Sequence, residues 1–335
     1  MSHSNSSLNA FSNCMAKYEH NYILHTTPCK PISPHLTFGI MAHDCLYKAG
    51  KLRDEADDGV LQPGEYQTVI PSEVLYDDLK NEFGISNWLN YFTPVIKQTA
   101  QYERDLVKEL IDTQTGNVSV EREIKLQLTV DQLKELGYEG ITQPLVGVID
   151  CLMYTKTHAI IIDYKFSSSK KTQDDFDMNS QLPLYALFVH TLYDIPLHNI
   201  KYGYIDIPKQ MFGMPTVLSN GTLSRAKSQN VSQEMYEKAV IAVHGEDPYY
   251  NCKKGGYYYD CYCNLALNKA AYLSIQYLDM EVYENITDDL MKAAKMIDFM
   301  IDNKMPFLKK YDSYSCKSCE YLTACKPWLT VNGDL

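Results

Sequence analysis

The sequence Gly147-Val-Ile-Asp150, followed by Ala159-Ile-Ile-Ile-Asp163-Tyr-Lys165, is the part of the chain that decides its fold. Apolar, β-branched-rich runs on both sides of a short polar segment predict two antiparallel strands joined by a hairpin turn. A turn centred after Lys156 places Asp150 directly opposite Asp163 on the neighbouring strand.

These two carboxylates would lie close together. Side chains directly opposite across an antiparallel pair have Cβ atoms about 4.5–5.5 Å apart. Two carboxylates at that separation among apolar neighbours repel, so either one is protonated or a cation lies between them. Lys165 shares the face of Asp163, because side chains repeat every two residues along a strand. Two acids that can hold a divalent metal ion, beside an ammonium group, suit phosphodiester hydrolysis. A buried hairpin with an internal salt bridge is the alternative.

A helix is predicted to begin at Gln181, with Asn179 or Ser180 as its N-cap. Pro183 is compatible with the first turn, where no intrahelical N–H bond is lost. Gln181 would then lie at a helix N-terminus, which favours an anion such as a phosphate. Tyr185, four residues on, shares its face. A buried glutamine and a core tyrosine on a packing helix would give the same pattern.

The bulk composition is that of a globular protein. The chain has 335 residues, 45% of them hydrophobic and 22% charged, enough for one large domain or two ordinary ones. It has neither a long apolar run nor a signal-peptide pattern, so we expect no membrane association and a cytoplasmic location, in a bacterium or a phage-infected host cell. The net charge of −11 argues against a broadly basic protein that coats nucleic acid, although a local basic channel stays possible.

Apolar periodicity predicts the remaining elements. The helix that contains His43 spans 38–47, and the last helical region is expected to break near Asn285. The predicted helices are 6–24, 38–47, 72–84, 87–112, 232–243 and 265–302, and the predicted strands outside the hairpin are 118–130 and 199–207.

A tyrosine-rich stretch, 248–263, favours a surface hairpin with exposed tyrosines. It also carries Cys252, Cys261 and Cys263. Two alternatives are stacking of unpaired bases on the tyrosines and a zinc site completed by His244.

Ten cysteines in a chain expected in the cytosol suggest metal binding rather than disulfides. Cys316, Cys319 and Cys325 have the spacing C-x2-C-x5-C near the end of the sequence. They can place three thiolates on one metal centre, which requires a fourth ligand from a distant residue. The spacing leaves zinc and an iron–sulfur cluster open.

Together these motifs resemble a known family. Gly147-x-x-Asp150, Asp163-x-Lys165 and Gln181-x-x-x-Tyr185 are similar to motifs of the RecB-like branch of the PD-(D/E)xK nuclease superfamily. Gly39-x-x-x-His43 looks like the upstream motif of that branch. The C-terminal cysteines and Cys14 resemble the cluster ligands of CRISPR-associated iron–sulfur exonucleases and AddB-type nuclease domains. The combination covers residues 14–325.

The resemblance implies an α/β fold with a restriction-endonuclease-like core, a central mixed β-sheet flanked by helices. It implies a single nuclease domain over residues 1–335. Within it, N-terminal helices at 6–50 carry the lone cysteine and the active-site histidine. The core spans 115–210, and a helical region at 230–335 ends in the cysteine cluster.

The resemblance also implies a Mn²⁺- or Mg²⁺-dependent deoxyribonuclease that acts as an exonuclease on single-stranded ends. A catalytically silent protein that binds DNA ends, or a recombination partner protein, is the alternative. DNA is the expected partner. The sequence lacks the Walker A motif of a helicase, so any unwinding must come from a second partner, a helicase or recombination protein. The implied roles are metal binding by His43, Asp150, Asp163 and the backbone carbonyl of Tyr164, catalysis by Asp150, Asp163 and Lys165, and positioning of the strand by Gln181 and Tyr185.

The implied cluster is held by Cys14, Cys316, Cys319 and Cys325. A [4Fe–4S] cluster is expected, with zinc as the alternative. Cys29 and Cys45 compete with Cys14 for the fourth position, although Cys45 is expected to be a packed thiol. We expect a structural role in which the cluster joins the N-terminal helix to the C-terminal segment.

Overall fold

A computed structural model describes residues 1–56, 58–70, 79, 82–113, 117–167, 172–226, 229–310 and 313–326. The strands are β1 (His3–Ser4), β2 (Ser119–Leu128), β3 (Leu145–Tyr154), β4 (Ala159–Ser167), β5 (Ile200–Pro208) and β6 (Tyr272–Tyr277). The helices are α1 (Asn5–Asn13), α2 (Met15–Tyr18), α3 (Pro34–Glu55), α4 (Tyr66–Val69), α5 (Trp88–Thr113), α6 (Val130–Glu135), α7 (Gln173–Asp177), α8 (Gln181–Tyr193), α9 (Gln233–His244), α10 (Tyr259–Leu265), α11 (Met280–Asp302), α12 (Ser313–Ser318) and α13 (Leu322–Cys325). Of the helices described, none has the length and apolar character needed to cross a membrane.

The strands form one mixed sheet in the order β1-β3-β4-β5-β6, and β2 also pairs with β3. The β2–β3, β3–β4 and β5–β6 pairs are antiparallel, whereas β4 and β5 are parallel. A parallel pair needs a long crossover connection, and the segment that contains α7 and α8 supplies it. The predicted α/β fold with a central mixed sheet flanked by helices is confirmed.

Two apolar cores cover the two faces of the sheet, because successive strand residues point to opposite sides. Ile161 belongs to the core formed with α1, α8 and α11, which we call the α8-side core. Its neighbours Ile160 and Ile162 belong to the core formed with α3 and α5, the α3-side core. Strand β4 is therefore buried on both faces, as its continuous apolar sequence predicts.

The helix that carries His43 is longer than predicted. It begins at Pro34, with the Ser33 hydroxyl accepting from the Leu36 N–H, and ends at Glu55. Serine at the N-cap followed by proline at the first helical position is a favourable start. The predicted helix 72–84 lies outside the described residues except at 79 and 82–84.

The prediction of one helix over 6–24 is wrong. α1 ends at Asn13, and Cys14 has an extended backbone between α1 and α2. A π-helical turn, Glu19–Ile23, follows. Leu8, Phe11 and Tyr18 are nevertheless all buried in the α8-side core.

The prediction of helix throughout 265–302 is also wrong. Strand β6 lies inside this range and pairs with β5 from Tyr272 to Tyr277. A new helix then begins after Asp279, whose carboxylate accepts from the Glu281 and Val282 N–H groups, and it continues through Asn285. The apolar residues of β6 fit a strand as well as a helix, and only pairing with β5 decides between them.

The described residues between β5 and β6, 209–226 and 229–271, have an apolar core of their own, and we call this segment the insertion. Its buried residues include Tyr236, Tyr258, Cys252 and Cys261. The surface hairpin predicted for 248–263 does not form. Turns lead instead into α10 at Tyr259.

Candidate active site

The β3–β4 hairpin has the predicted register. The ladder runs from Tyr154↔Ala159 to Cys151↔Ile162 and stops there, one step before Asp150 and Asp163. In place of a ladder partner, the Tyr164 N–H donates to Asp150 Oδ2 at 2.8 Å. The two aspartates therefore lie at the point where the hairpin strands cease to pair.

β2 has an irregularity directly opposite Asp150. Glu123 stands opposite Asp150 at an interruption of the β2–β3 ladder and has φ +47°, a left-handed conformation that costs a non-glycine residue about 1–2 kcal/mol. Val120 packs on the α3-side core whereas Leu126 packs on the α8-side core, although both are even-numbered. The alternation of side chains thus shifts by one residue near Glu123. The same shift occurs in β3, where Ile149 faces the α8-side core and Cys151 the α3-side core.

α3 brings His43 to this point. His43 Nδ1 lies 3.4 Å from Asp150 Oδ1, and its ring packs against Phe166 at 5.4 Å between centroids. Burial alone would lower the pKa of His43. The hydrogen bond and charge of Asp150, helped by the charge of Asp163, outweigh that effect and raise the pKa. His43 and Asp150 are therefore electrostatically coupled.

Asp163 is a buried carboxylate with a cation beside it. It is 2% exposed, and Lys165 Nζ lies 2.5 Å from its Oδ2. Burial raises the pKa of Asp163 to about 6, Lys165 opposes this change, and Asp150 adds to it. A carboxylate that resists ionisation next to a second carboxylate is a place where a further cation would be stabilised.

Lys165 leads to the α8 residues. Its ammonium group donates to Gln181 Oε1 at 2.9 Å, and Gln181 Nε2 donates to the Tyr185 hydroxyl at 2.6 Å. Gly147 makes room for this helix, because a Cβ there would lie 2.9 Å from Phe188. The structure thus gathers His43, Asp150, Asp163, Lys165, Gln181 and Tyr185, all predicted from the sequence.

The predicted anion position at the α8 N-terminus is already occupied. Asn179 Oδ1 accepts from the N–H groups of Gln181 (2.8 Å) and Leu182 (2.9 Å). Ser180 is the N-cap residue but makes no side-chain cap. The capping oxygen of Asn179 thus takes the donors that we expected to face a phosphate.

A buried charged network under the site was not predicted. Glu103 of α5 accepts from the Tyr164 hydroxyl at 2.5 Å, from Arg53 at 2.9 Å and from Arg122 at 2.8 Å. Arg122 also holds Asp54 through two hydrogen bonds of 2.7 and 3.0 Å. Burial would raise the pKa of Glu103, but the two guanidinium groups lower it. The network connects β2, β4, α3 and α5 beneath the aspartates.

Gly50 is the sequence feature that could have pointed to this network. It lies seven residues after His43, two turns along α3 on the same side of the helix. A Cβ at this position would lie 2.5 Å from Arg122 Nε. Glycine therefore lets the guanidinium lie against α3, and this contact holds the helix that carries His43 on the sheet.

Cys14, from the N-terminal part of the chain, lies near Cys319 and Cys325, from its C-terminal part. Burial raises the pKa of Cys319 and of Cys325, and the charge of Cys14 adds to both shifts. Cys316 also contributes to the shift of Cys325. Cys29 differs, because it is exposed and hydrogen bonds from Thr323 lower its pKa.

The side chains stop short of a formed metal centre. In the ranges that the structure describes, no three His, Cys, Asp or Glu side chains converge closely enough to hold an ion, the tyrosine-rich stretch with His244 included. The donor types nevertheless suit metals: imidazole and carboxylate oxygens suit Mn²⁺, and grouped thiolates suit iron or zinc.

A search of curated proteins gives no match. A candidate exonuclease from Eubacterium rectale has 9% identity, with 96% of this chain and 87% of that chain covered and a TM-score of 0.42. The structure of SSO0001 has 14% identity over 76% of this chain and 79% of that chain, with a TM-score of 0.24. A family model of PD-(D/E)XK nucleases matches residues 2–326. The chain belongs to the PD-(D/E)XK nuclease superfamily.

Proposed function

We propose that the protein is a metal-dependent deoxyribonuclease that removes nucleotides from single-stranded DNA ends. The observation that carries the proposal is the buried Asp163 beside Asp150, with Lys165 and His43 within contact of the pair. The family membership supports DNA as the substrate. The preference for single strands, the exonuclease mode and the place in the RecB-like branch are our inferences from the sequence motifs.

The residues present fit a divalent ion. His43, Asp150, Asp163 and the Tyr164 carbonyl would hold it, and the imidazole favours Mn²⁺ over Mg²⁺. When bound, the ion would lower the pKa of a water molecule and polarise the phosphate. Asp163 supports this fit, because burial and Asp150 raise its pKa and a bound cation would offset both effects.

The remaining residues act on the phosphate and on one another. Lys165 would orient the attacking water and stabilise the negative charge that develops on the phosphate. Gln181 accepts from Lys165 and donates to Tyr185, so it keeps the ammonium group directed into the site. Glu103 holds the Tyr164 ring, which keeps the residue between Asp163 and Lys165 in place.

We also infer a [4Fe–4S] cluster held by Cys14, Cys316, Cys319 and Cys325. The motif resemblance favours Cys14 as the fourth ligand, and the electrostatic coupling of Cys14 to Cys319 and Cys325 agrees with it. Cys29 is the rival, because its N–H donates to the Glu320 carbonyl at 2.7 Å. Its role would be to join the N-terminal helices to the C-terminal segment. Zinc is the alternative occupant.

Digestion of 5′- and 3′-labelled single- and double-stranded DNA with Mn²⁺ and with Mg²⁺ tests the nuclease. We expect stepwise shortening of linear single strands, with circular single strands left intact. Asp163→Ala and Lys165→Ala should each lower the rate about 10²-fold or more, the scale of losing a key electrostatic contribution. Asp131→Ala, an exposed carboxylate on α6, serves as the matched control.

Two outcomes would change the proposal. If the wild type cuts no better than the Asp163→Ala variant, the protein is a catalytically silent DNA-binding member of the family. If circular single strands are cut as fast as linear ones, the enzyme is an endonuclease.

A further inference from the structure

The insertion between β5 and β6 presents tyrosines to solvent. Tyr249, Tyr257 and Tyr259 are 62%, 42% and 40% exposed, whereas Tyr258 between them is fully buried. The buried Tyr258 hydroxyl contacts His244 Nε2 at 2.9 Å. One tyrosine of the run therefore anchors the segment in the insertion core, and the others are left on its surface. We call Tyr249, Tyr257, Tyr259, Arg225 and Lys254 the aromatic platform.

The backbone holds these rings in place. The Tyr257 N–H donates to the Tyr249 carbonyl at 2.6 Å, and the Gly256 N–H donates to the Asn251 carbonyl at 3.1 Å. A Cβ on Gly256 would lie 2.4 Å from that carbonyl oxygen, so only glycine allows the two segments to approach. Beneath them, His244 stacks on Tyr250 at 3.9 Å. These bonds hold the backbones of Tyr249 and Tyr257 next to each other, so a ligand would meet two rings that are already neighbours, which lowers the entropy lost on binding.

The platform has both stacking surfaces and cations. The Tyr249 and Tyr257 rings are within 22° of parallel and 5.9 Å apart. The Arg225 guanidinium lies 4.4 Å from the centre of the Tyr257 ring. A cleft of about 360 Å³ lies among them, with Lys254 and Asp260 at its wall. Asp260 Oδ2 is 4.0 Å from Arg225, so the arginine is only loosely paired.

We propose that the aromatic platform binds unpaired nucleotides of DNA. Bases would stack on the exposed tyrosines, and Arg225 and Lys254 would contact the backbone phosphates. Arginine stacked on an aromatic ring keeps its N–H edge available for a phosphate. In a chain of net charge −11, such local cations are where a polyanion would be drawn. The choice of DNA as ligand rests on the proposed nuclease function. The platform would add to that function by holding a single strand outside the active site.

The test is binding of a fluorescein-labelled oligothymidylate to the full chain in EDTA, followed by anisotropy. Tyr257→Ala and Tyr249→Ala should each weaken binding about 10-fold, within the range for one base stacked on one ring. Tyr257→Phe keeps the ring and should bind like the wild type. Tyr277→Ala is the matched control, because Tyr277 is 59% exposed on β6 and has Lys201 Nζ 4.4 Å from its ring. The same tyrosine substitutions should change the binding of a blunt-ended DNA duplex less than twofold.

The outcomes separate the platform from the nuclease. Weaker oligothymidylate binding by Tyr257→Ala supports the platform even if the wild type cuts no DNA, in which case only the nuclease proposal fails. If the wild type cuts single strands but Tyr257→Ala binds the oligonucleotide like the wild type, the platform is overturned and the nuclease stands. A wild type that does not bind oligothymidylate, or an equal loss of binding for Tyr277→Ala, also overturns the platform.

Discussion

Burial of Asp163 disfavours the negative charge that this side chain would need in order to hold a metal ion. The side chain is buried next to Asp150, and its pKa is raised to about 6. In an unfolded chain the same carboxyl has a pKa of 3.8. The folded protein therefore holds this proton more tightly. The stabilisation of the folded state by this bound proton is fully present below about pH 4 and is lost as the pH rises through about 6.

The first prediction concerns stability without metal. Asp163→Asn should raise the free energy of unfolding at pH 7.5 by about 3 kcal/mol, because the cost of burying a charge disappears. The difference should shrink toward zero near pH 4, where both side chains are neutral. Urea denaturation in EDTA across this pH range measures it, and a difference independent of pH would contradict the assignment.

The second prediction concerns activity at low pH. A protonated Asp163 cannot help to hold a cation, so metal binding must release its proton. Mn²⁺-dependent cleavage at subsaturating Mn²⁺ should fall by tenfold or more for each pH unit below about 6, because His43, whose pKa is also raised, must lose a proton as well to hold the ion. Raising the Mn²⁺ concentration should restore the rate and move the midpoint to lower pH. A midpoint that does not respond to Mn²⁺ would place the titrating group elsewhere.

At the scale of elements, α3 is fixed to the sheet by a charged contact rather than by apolar packing alone. Arg122 lies in the space left by Gly50 and bonds both Asp54 and Glu103. These partners come from segments far apart in the chain. Periodicity predicted α3 and α5 but could not show that Glu103 and Arg122 meet under Tyr164.

The third prediction compares two glycines of α3. Gly50→Ala should destabilise the protein by about 1–3 kcal/mol, because its Cβ would lie 2.5 Å from the Arg122 guanidinium, which must move. Gly39→Ala is the matched control: a Cβ there meets nothing within 4 Å, and alanine should stabilise the helix by up to about 1 kcal/mol. Urea unfolding of both variants decides. Equal effects at the two positions would show that the Arg122 contact is dispensable.

At the scale of the whole molecule, the N-terminal and C-terminal parts are tied together. Lys17 pairs with Glu320 at 3.0 Å, and the Tyr321 hydroxyl donates to Asn21 Oδ1 at 2.8 Å. Nearer the N-terminus, His3 Nε2 lies 2.9 Å from Oδ1 of the buried Asp298. Cys14 is thereby brought near the C-terminal cysteines, which supports a shared metal centre.

The fourth prediction concerns that centre. Protein purified without oxygen should be brown, with a broad absorbance band at roughly 400 nm that zinc alone does not give. Cys14→Ser should lower the iron content, whereas Cys29→Ser should leave it unchanged. Removing the metal with a chelator should lower the midpoint of thermal unfolding, because ligands from both ends of the chain would lose their link. A colourless protein that contains one zinc per chain would make the centre a zinc site.

The sequence by itself determined the β3–β4 hairpin, its register and the meeting of Asp150, Asp163 and Lys165 at its open end. These features depend on local alternation and on one short turn, which any correct fold must respect. Only the tertiary structure decided how the site is completed. The shift of alternation at Glu123, the Glu103 network and the Asn179 oxygen at the α8 N-terminus depend on contacts between distant segments. The packing of distant elements decides which buried charges meet and which strands pair. The local pattern of apolar residues carries no information about these contacts.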